Sequence, residues 1–274
     1  MSAADRWREQ LAAWAIPDEI VAAAPEPPWG FSTELFKRRA EGALVSAPTP
    51  TTRRALEALP DGGTVLDVGV GGGAMSLPLA GRVRMIVGID GQADMLDVFR
   101  SSAEAVGVEA RTVLGTWPEA AEQVEAADVV MAGHVVYNVP GLGPFALALG
   151  DQALHRVVLE LTERHPLAWM SSLWTHFHGL TRPEGPTAGD VHSVLAEVGI
   201  LANREDRLVA PAEAGGGFAR REDAIHLVRK RLCLPAERDE EIAELLGPDL
   251  RLIDELWDVG PTHRTIVTLW WDRR

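Results

Sequence analysis

The residues best suited to chemistry lie between positions 67 and 90. DVGVGGG at 67–73 sets one carboxylate, Asp67, two residues ahead of a glycine run. Gly69 and Gly71 let the main chain turn tightly and leave no Cβ in the way of a close ligand. A second carboxylate, Asp90, stands 19 residues beyond Gly71, at the end of the next apolar run. A carboxylate there can accept hydrogen bonds from both hydroxyls of a ribose. A GxG turn alone is a weak signal, and the two acids sharpen it. A dinucleotide site must hold a pyrophosphate, which Asp67 would repel. Asp67 suits a positive group, such as an amino-acid ammonium.

These groups need strands and helices to position them. From residue 64, runs that read as buried strands (64–69, 84–90, 109–115, 127–133 and 156–162) alternate with helical stretches (73–81, 92–106, 118–124, 142–151 and 187–198). The alternation predicts an α/β fold, with a mostly parallel sheet covered by helices on both faces. Such sheets bind ligands at the carboxyl ends of their strands. Residues 200–209 read as a sixth strand and THRTIVTLWW (262–271) as a closing edge strand, after helices at 219–232 and 237–246. One domain over 1–274 is expected. It has an N-terminal helical cap at 1–60, a cofactor-binding core at 61–210, a helical insertion at 211–260 and a final strand at 261–274.

A ligand with a ribose and an ammonium but no phosphate is S-adenosylmethionine. VLDVGVGGG followed by VGID resembles the class I S-adenosylmethionine-dependent methyltransferases, over residues 60–210 and the last strand. The resemblance implies a Rossmann-like seven-stranded sheet with an antiparallel last strand and an N-terminal lid. It also implies that Gly69, Val70, Gly71 and Gly73 bend around the methionine part, that Asp67 binds the ammonium and that Asp90 holds the ribose. Gly91 and Met95 would line the adenine side, and Gly133 would let the methionine chain approach. The family often has Gly-Asp after the third strand, where this chain has Gly115-Thr116-Trp117. Thr116 is then expected to accept the adenine amino hydrogen bond and Trp117 to stack on the ring. The competing readings are an NAD(P)-dependent Rossmann oxidoreductase and a non-catalytic protein that keeps the fold.

The acceptor side is read from the segments after strands four and five. His134, Tyr137 and Asn138, in AGHVVYNVPGLGPF (132–145), would face the pocket mouth. Imidazole titrates near neutrality, so His134 is the candidate base for a hydroxyl acceptor; otherwise it hydrogen-bonds the backbone or cofactor. In LWTHFHG (173–179), Trp174, His176 and His178 are candidates to line the substrate, the two histidines sharing a face if the segment is extended. With Glu160 or Asp190 they do not make a complete metal-ligand set, and no metal is expected. Trp29 and Phe31, in PPWGF, either close over the sulfonium or anchor the N-terminal helices. Asp/Asn-Pro-Pro-Tyr, the pattern of amino-group methylation, does not follow strand four, where the chain reads Gly133-His134-Val135-Val136.

Composition sets the outer bounds. With 26 Lys+Arg against 40 Asp+Glu the net charge is −14, which argues against nucleic acid or a membrane surface as partner. The basic stretch 220–231 is answered by the acidic stretch 237–244. No apolar run reaches the ~18 residues of a bilayer span, and the N-terminus lacks the apolar core of a signal peptide. The single Cys233 fits a reducing cytoplasm. A small-molecule substrate is expected.

Overall fold

The computed structural model describes residues 1–30, 32–210 and 217–273. Its main sheet contains β1 (Gly63–Val68), β2 (Val83–Asp90), β3 (Glu109–Leu114), β4 (Ala127–Gly133), β5 (Ala153–Thr162), β6 (Asn203–Val209) and β9 (Arg264–Asp272). The strand order is β3-β2-β1-β4-β5-β9-β6. The pairings from β3 to β5 are parallel, and β9 runs antiparallel to both its neighbours. All seven predicted strands are present and the last is antiparallel as expected, but it is not an edge strand: β9 lies between β5 and β6, and β6 takes the edge. Every residue of β1 is buried, because a central parallel strand is covered on both faces and its sequence shows no polar alternation.

Helices α3 (Thr33–Val45), α4 (Pro50–Ala58) and α5 (Ala93–Ala105) belong to one face. There Ala40, Ala55, Phe99 and Ala103 join Val65, Ile86 and Met131 of the sheet in one core. On the other face α1 (Ala3–Ala12), α6 (Leu142–Gln152) and α8 (Ala188–Glu197) bring Trp7, Phe145, Leu149, Val191 and Leu195 onto Leu66, Val130 and Leu159. A third core lies away from the sheet. Ile16, just before α2 (Asp18–Ala23), packs there with α7 (Ser171–His178), α9 (Arg221–Arg231) and α10 (Asp239–Leu246) through Trp174, Val228, Leu232 and Ile242.

Three further expectations are corrected. Residues 73–81 do not form a helix: the chain makes turns, with a short 3-10 segment at Leu77–Leu79. Three consecutive glycines disfavour the helical start, and Pro78 offers no N–H to continue it. Residues 118–124 form only a 3-10 turn, Glu119–Gln123. The insertion is not purely helical, because β7 (Leu250–Ile253) and β8 (Leu256–Val259) make a separate hairpin. Its two-residue turn, Asp254-Glu255, holds both residues at positive φ, 47° and 66°. Tight hairpins demand that conformation and usually supply it with Asn-Gly or Asp-Gly, so Asp-Glu carried no hairpin signal. No described helix is long and apolar enough to cross a membrane.

Candidate active site

The glycine turn joins β1 to the Leu77–Leu79 segment at the carboxyl edge of the sheet. Gly69, Gly71 and Gly73 have φ of 74°, 51° and 88°, values that suit glycine. The N–H groups of Gly69 and Val70 donate to the Ile89 carbonyl at 2.8 and 3.0 Å, tying the turn to β2. Asp90, the last residue of β2, accepts from the Gly71 N–H through Oδ2 at 2.9 Å and from the Gln92 N–H through Oδ1 at 3.0 Å. A carboxylate has about four acceptor positions, so Asp90 is fixed in direction and still able to accept a diol. The turn is closely covered. A Cβ on residue 69 would lie 2.3 Å from Val135 Cγ1, and one on residue 71 would lie 2.7 Å from the Phe36 ring of α3. Phe36 was not singled out from the sequence, since nothing local ties α3 to the turn.

Asp67 is buried and its Oδ2 has no hydrogen-bond partner. Burial pushes its pKa up to about 7, the neighbouring Ser76 hydroxyl opposing the shift and the Asp90 charge adding to it. A buried acceptor with nothing to accept from is costly and becomes favourable once a cation reaches it. The orphaned oxygen and the side-chain-free turn fit a ligand that brings an ammonium beside Asp67 and a diol beside Asp90.

The second constellation sits where β4 and β5 end. Their parallel register pairs Gly133 with Glu160. The chain then turns at His134, whose φ is 58° and whose N–H donates to the Glu160 carbonyl at 2.7 Å. His134 Nε2 lies 3.1 Å from Glu160 Oε1. The other carboxylate oxygen accepts from the Thr51 hydroxyl of α4, which also shares a 2.8 Å hydrogen bond with Thr268 of β9. Burial alone would raise the Glu160 pKa. The hydrogen bond and charge of His134, the Thr51 hydroxyl and the Arg207 charge outweigh it, and the carboxyl is held below its usual range. Glu160 is therefore ionised and hydrogen-bonded to His134 Nε2, which leaves Nδ1 as the other nitrogen of a half-exposed ring. Sequence inspection named both residues but did not join them; the strand register was the missing signal.

Thr116 lies beside Gly91, and its hydroxyl donates to Glu119. Met95 is fully buried in the first turn of α5. Other residues expected at the site have protein contacts of their own. The Val70 side chain belongs to the core under α5. The Trp117 ring is buried on the α6 side, its indole N–H donating to the Phe145 carbonyl at 3.2 Å, so it packs in the core where a stacking platform was expected. A Cβ on Gly133 would lie 2.1 Å from Met75 Sδ, so the close approach at this glycine is made by Met75. Tyr137 is buried, with its hydroxyl donating to the Thr162 carbonyl at 2.8 Å and its ring 5.8 Å from that of Trp7. Burial pushes its pKa up. Asn138 is exposed.

The segment after β5 is the helix α7, so His176 and His178 do not share a face as they would on a strand. His176 Nε2 reaches Glu241 of α10 at 2.8 Å, and His178 Nε2 donates to the Leu232 carbonyl at 2.7 Å. Trp174 is fully buried in the third core, with the Arg182 guanidinium 4.9 Å above its ring. These three hold helices together. Trp29 is 53% exposed, and the carbonyls on either side of it, Pro28 and Gly30, accept from Arg231 of α9. Phe31 lies outside the described residues. Among the described residues, no group of three or more His, Cys, Asp or Glu is arranged to hold a metal ion.

Residues 65–144, which span the turn, Asp90 and His134, match the model of a methyltransferase domain. Two relatives are ubiquinone biosynthesis O-methyltransferases. The one from Azorhizobium caulinodans is 38% identical over 87 residues, 32% of this chain and 34% of the relative. The one from Paramagnetospirillum magneticum is 41% identical over 85 residues, 31% of this chain and 34% of the relative. The chain thus spans about a third of the length of the curated relatives it matches. The fold also matches the crystal structure of a SAM-dependent methyltransferase from Thiobacillus denitrificans in complex with S-adenosyl-L-homocysteine. There the TM-score is 0.50 at 16% identity, covering 85% of this chain and 96% of that one.

Proposed function

We propose that this chain, a class I methyltransferase by its fold and by the methyltransferase domain at 65–144, transfers a methyl group from S-adenosylmethionine to a hydroxyl of a small-molecule acceptor. The observation that carries the reading is the pair of carboxylates around the glycine turn. Asp67 has a buried, unpartnered oxygen for the ammonium, and Asp90 is held by two backbone N–H groups with room for the ribose hydroxyls. An oxidoreductase reading fits less well, because a pyrophosphate on this turn would face the Asp67 carboxylate. Thr116, with Glu119 behind it, takes the adenine amino side.

S-adenosylmethionine supplies, when bound, a methyl group activated on a sulfonium centre, so the protein's task is to align the acceptor and keep water out. Asp67 and Asp90 fix the two ends of the donor. His134 Nδ1 removes the acceptor's hydroxyl proton, and Glu160 stabilises the imidazolium through Nε2–H. Thr51 positions Glu160. The ubiquinone biosynthesis relatives are O-methyltransferases by name, which agrees with a hydroxyl acceptor. We take residues 1–60 and 211–260 as cap and insertion of one methyltransferase domain. We place it in a reducing cytoplasm, which suits the buried free thiol of Cys233.

The test is calorimetric titration of the full chain with S-adenosylhomocysteine, with NAD(P)H in parallel. S-adenosylhomocysteine is expected to bind and NAD(P)H not to bind. Asp90→Ala removes the acceptor of two hydroxyls and should weaken binding by about 100-fold or more. Unchanged affinity in that variant would overturn the site assignment.

A further inference from the structure

Many arginines of this chain meet a carboxylate. Arg54 meets Glu205, Arg156 meets Asp272 and Glu57, Arg204 meets Glu163 and Asp206, and Arg251 meets Asp258. Arg182 has no carboxylate but donates to the carbonyls of Trp14 and Ala15. Two other arginines, Arg39 and Arg264, also lack a carboxylate partner in an ion pair among the described residues. Among the described residues, Arg39 of α3 has no hydrogen-bonded or ion-paired partner. Its guanidinium carbon stands 5.6 Å from the Phe36 ring centroid. Arg264, the first residue of β9, has a single 3.3 Å bond to the Val259 carbonyl. Both are partly buried, and the fold brings them to the same strand: Arg38, next to Arg39, donates to the Gly217 carbonyl at 3.0 Å, Phe218 pairs with Trp257 of β8, and Arg264 donates to Val259 at the end of β8, on either side of Asp258. Asp258 is already ion-paired with Arg251 at 2.5 Å, so one carboxylate faces three guanidinium groups. Burial first, then the charge of Arg264, push the Arg39 pKa down.

Their place in the fold gives this excess charge a meaning. Phe36, one turn before Arg39 on α3, lies against Gly71 and Gly72, so Arg39 stands beside the glycine turn. Arg264 begins β9 just past the carboxyl end of β5, where the Glu163 N–H meets the Thr265 carbonyl. Both therefore stand at the sheet edge that carries Asp90 and His134. Two like charges held together away from bulk water raise the energy of the free protein, and a bound anion reverses that cost. Guanidinium groups bind oxyanions in forked, directional pairs. We propose that Arg39 and Arg264 clamp an oxyanion on the methyl acceptor, a carboxylate or a phosphate, so that this enzyme methylates an anionic small molecule. The substrate class rests on the methyltransferase reading; the anion site itself does not. It is a local concentration of positive charge in a chain of net charge −14.

The experiment uses the full chain saturated with S-adenosylhomocysteine. Sodium benzoate and inorganic phosphate are titrated separately at constant ionic strength against chloride, with binding followed by calorimetry. At least one anion should bind above the chloride background, the tighter one telling carboxylate from phosphate. Arg39→Gln and Arg264→Gln should each weaken it about tenfold or more, with S-adenosylhomocysteine affinity within about twofold of wild type. If one variant fails to fold, judged by its melting curve, the other decides. Neither anion binding above chloride, or binding unchanged in a folded variant, overturns the clamp. S-adenosylhomocysteine binding in the same samples tests the methyltransferase reading separately. Its loss with arginine-dependent anion binding intact would remove that reading and leave the anion site standing.

Discussion

At the scale of single residues, two acids and one histidine govern the expected behaviour. Asp67 has a folded-state pKa near 7 against an ordinary 3.8. Between about pH 4 and 7 the folded chain holds a proton that the unfolded chain has released, so this group's contribution to stability declines as pH rises across that window. Ligand binding has the opposite slope. The ligand's ammonium favours the ionised carboxylate, so S-adenosylhomocysteine affinity should rise from pH 6 to pH 8 and level off above the Asp67 pKa. At pH 6 binding should release a proton, visible as a buffer-dependent enthalpy. Asp67→Asn should remove both effects; a pH dependence that survives in that variant would assign it to another group. His134→Ala should lower kcat by about 10²–10⁴ and leave S-adenosylhomocysteine affinity nearly unchanged. Glu160→Gln should act in the same direction, because a neutral amide no longer stabilises the imidazolium. A kcat at wild-type level in His134→Ala would show that the acceptor needs no base from this chain.

At the scale of elements, the β1 turn is a device for close approach, and two glycines with similar backbones separate its geometry from its contacts. Gly69 and Gly62 both have positive φ, 74° and 70°. A Cβ on residue 69 would strike Val135, whereas nothing lies within 4 Å of one on residue 62. Gly62→Ala should therefore cost only about 1–2 kcal/mol of backbone strain and keep S-adenosylhomocysteine binding. Gly69→Ala should cost more and displace Val135, next to His134, with loss of binding. Urea denaturation and calorimetry on the two variants separate these outcomes, and equal binding by both would show that the contact at Gly69 does not matter. The same turn explains why the predicted helix at 73–81 does not form: the residues that open the backbone to a ligand also remove the conditions for a helix.

At the scale of the molecule, the sheet carries two cores and a third lies away from it, built from Ile16, α7, α9 and α10. These segments are far apart in sequence and meet only in the fold, which is why Trp174, His176 and His178 looked available for a substrate. Trp174→Ala should cost about 3–5 kcal/mol, read as a lowered urea midpoint. In folded protein the KM for the acceptor should stay close to wild type. A large KM effect without a stability effect would return Trp174 to the substrate side.

Much of this protein was legible in one dimension. Near-continuous apolar runs separated by amphipathic stretches determined a covered parallel sheet. The spacing of Asp67, the glycines and Asp90 determined a tight turn flanked by two carboxylates, the feature on which the proposed cofactor site rests. Both signals are local: strand burial and turn geometry are written in adjacent residues, and the next strand comes within about one helix length. Tertiary structure alone decided the rest. It joined His134 to Glu160 through the register of β4 and β5, and laid Phe36 over Gly71. It left Arg39 and Arg264 short of counter-charge, and it placed Trp117, Tyr137 and Trp174 in cores. Whether a histidine is a base or a tether, or an aromatic ring a platform or a core residue, depends on partners tens to hundreds of residues away. Composition and periodicity carry no record of such contacts.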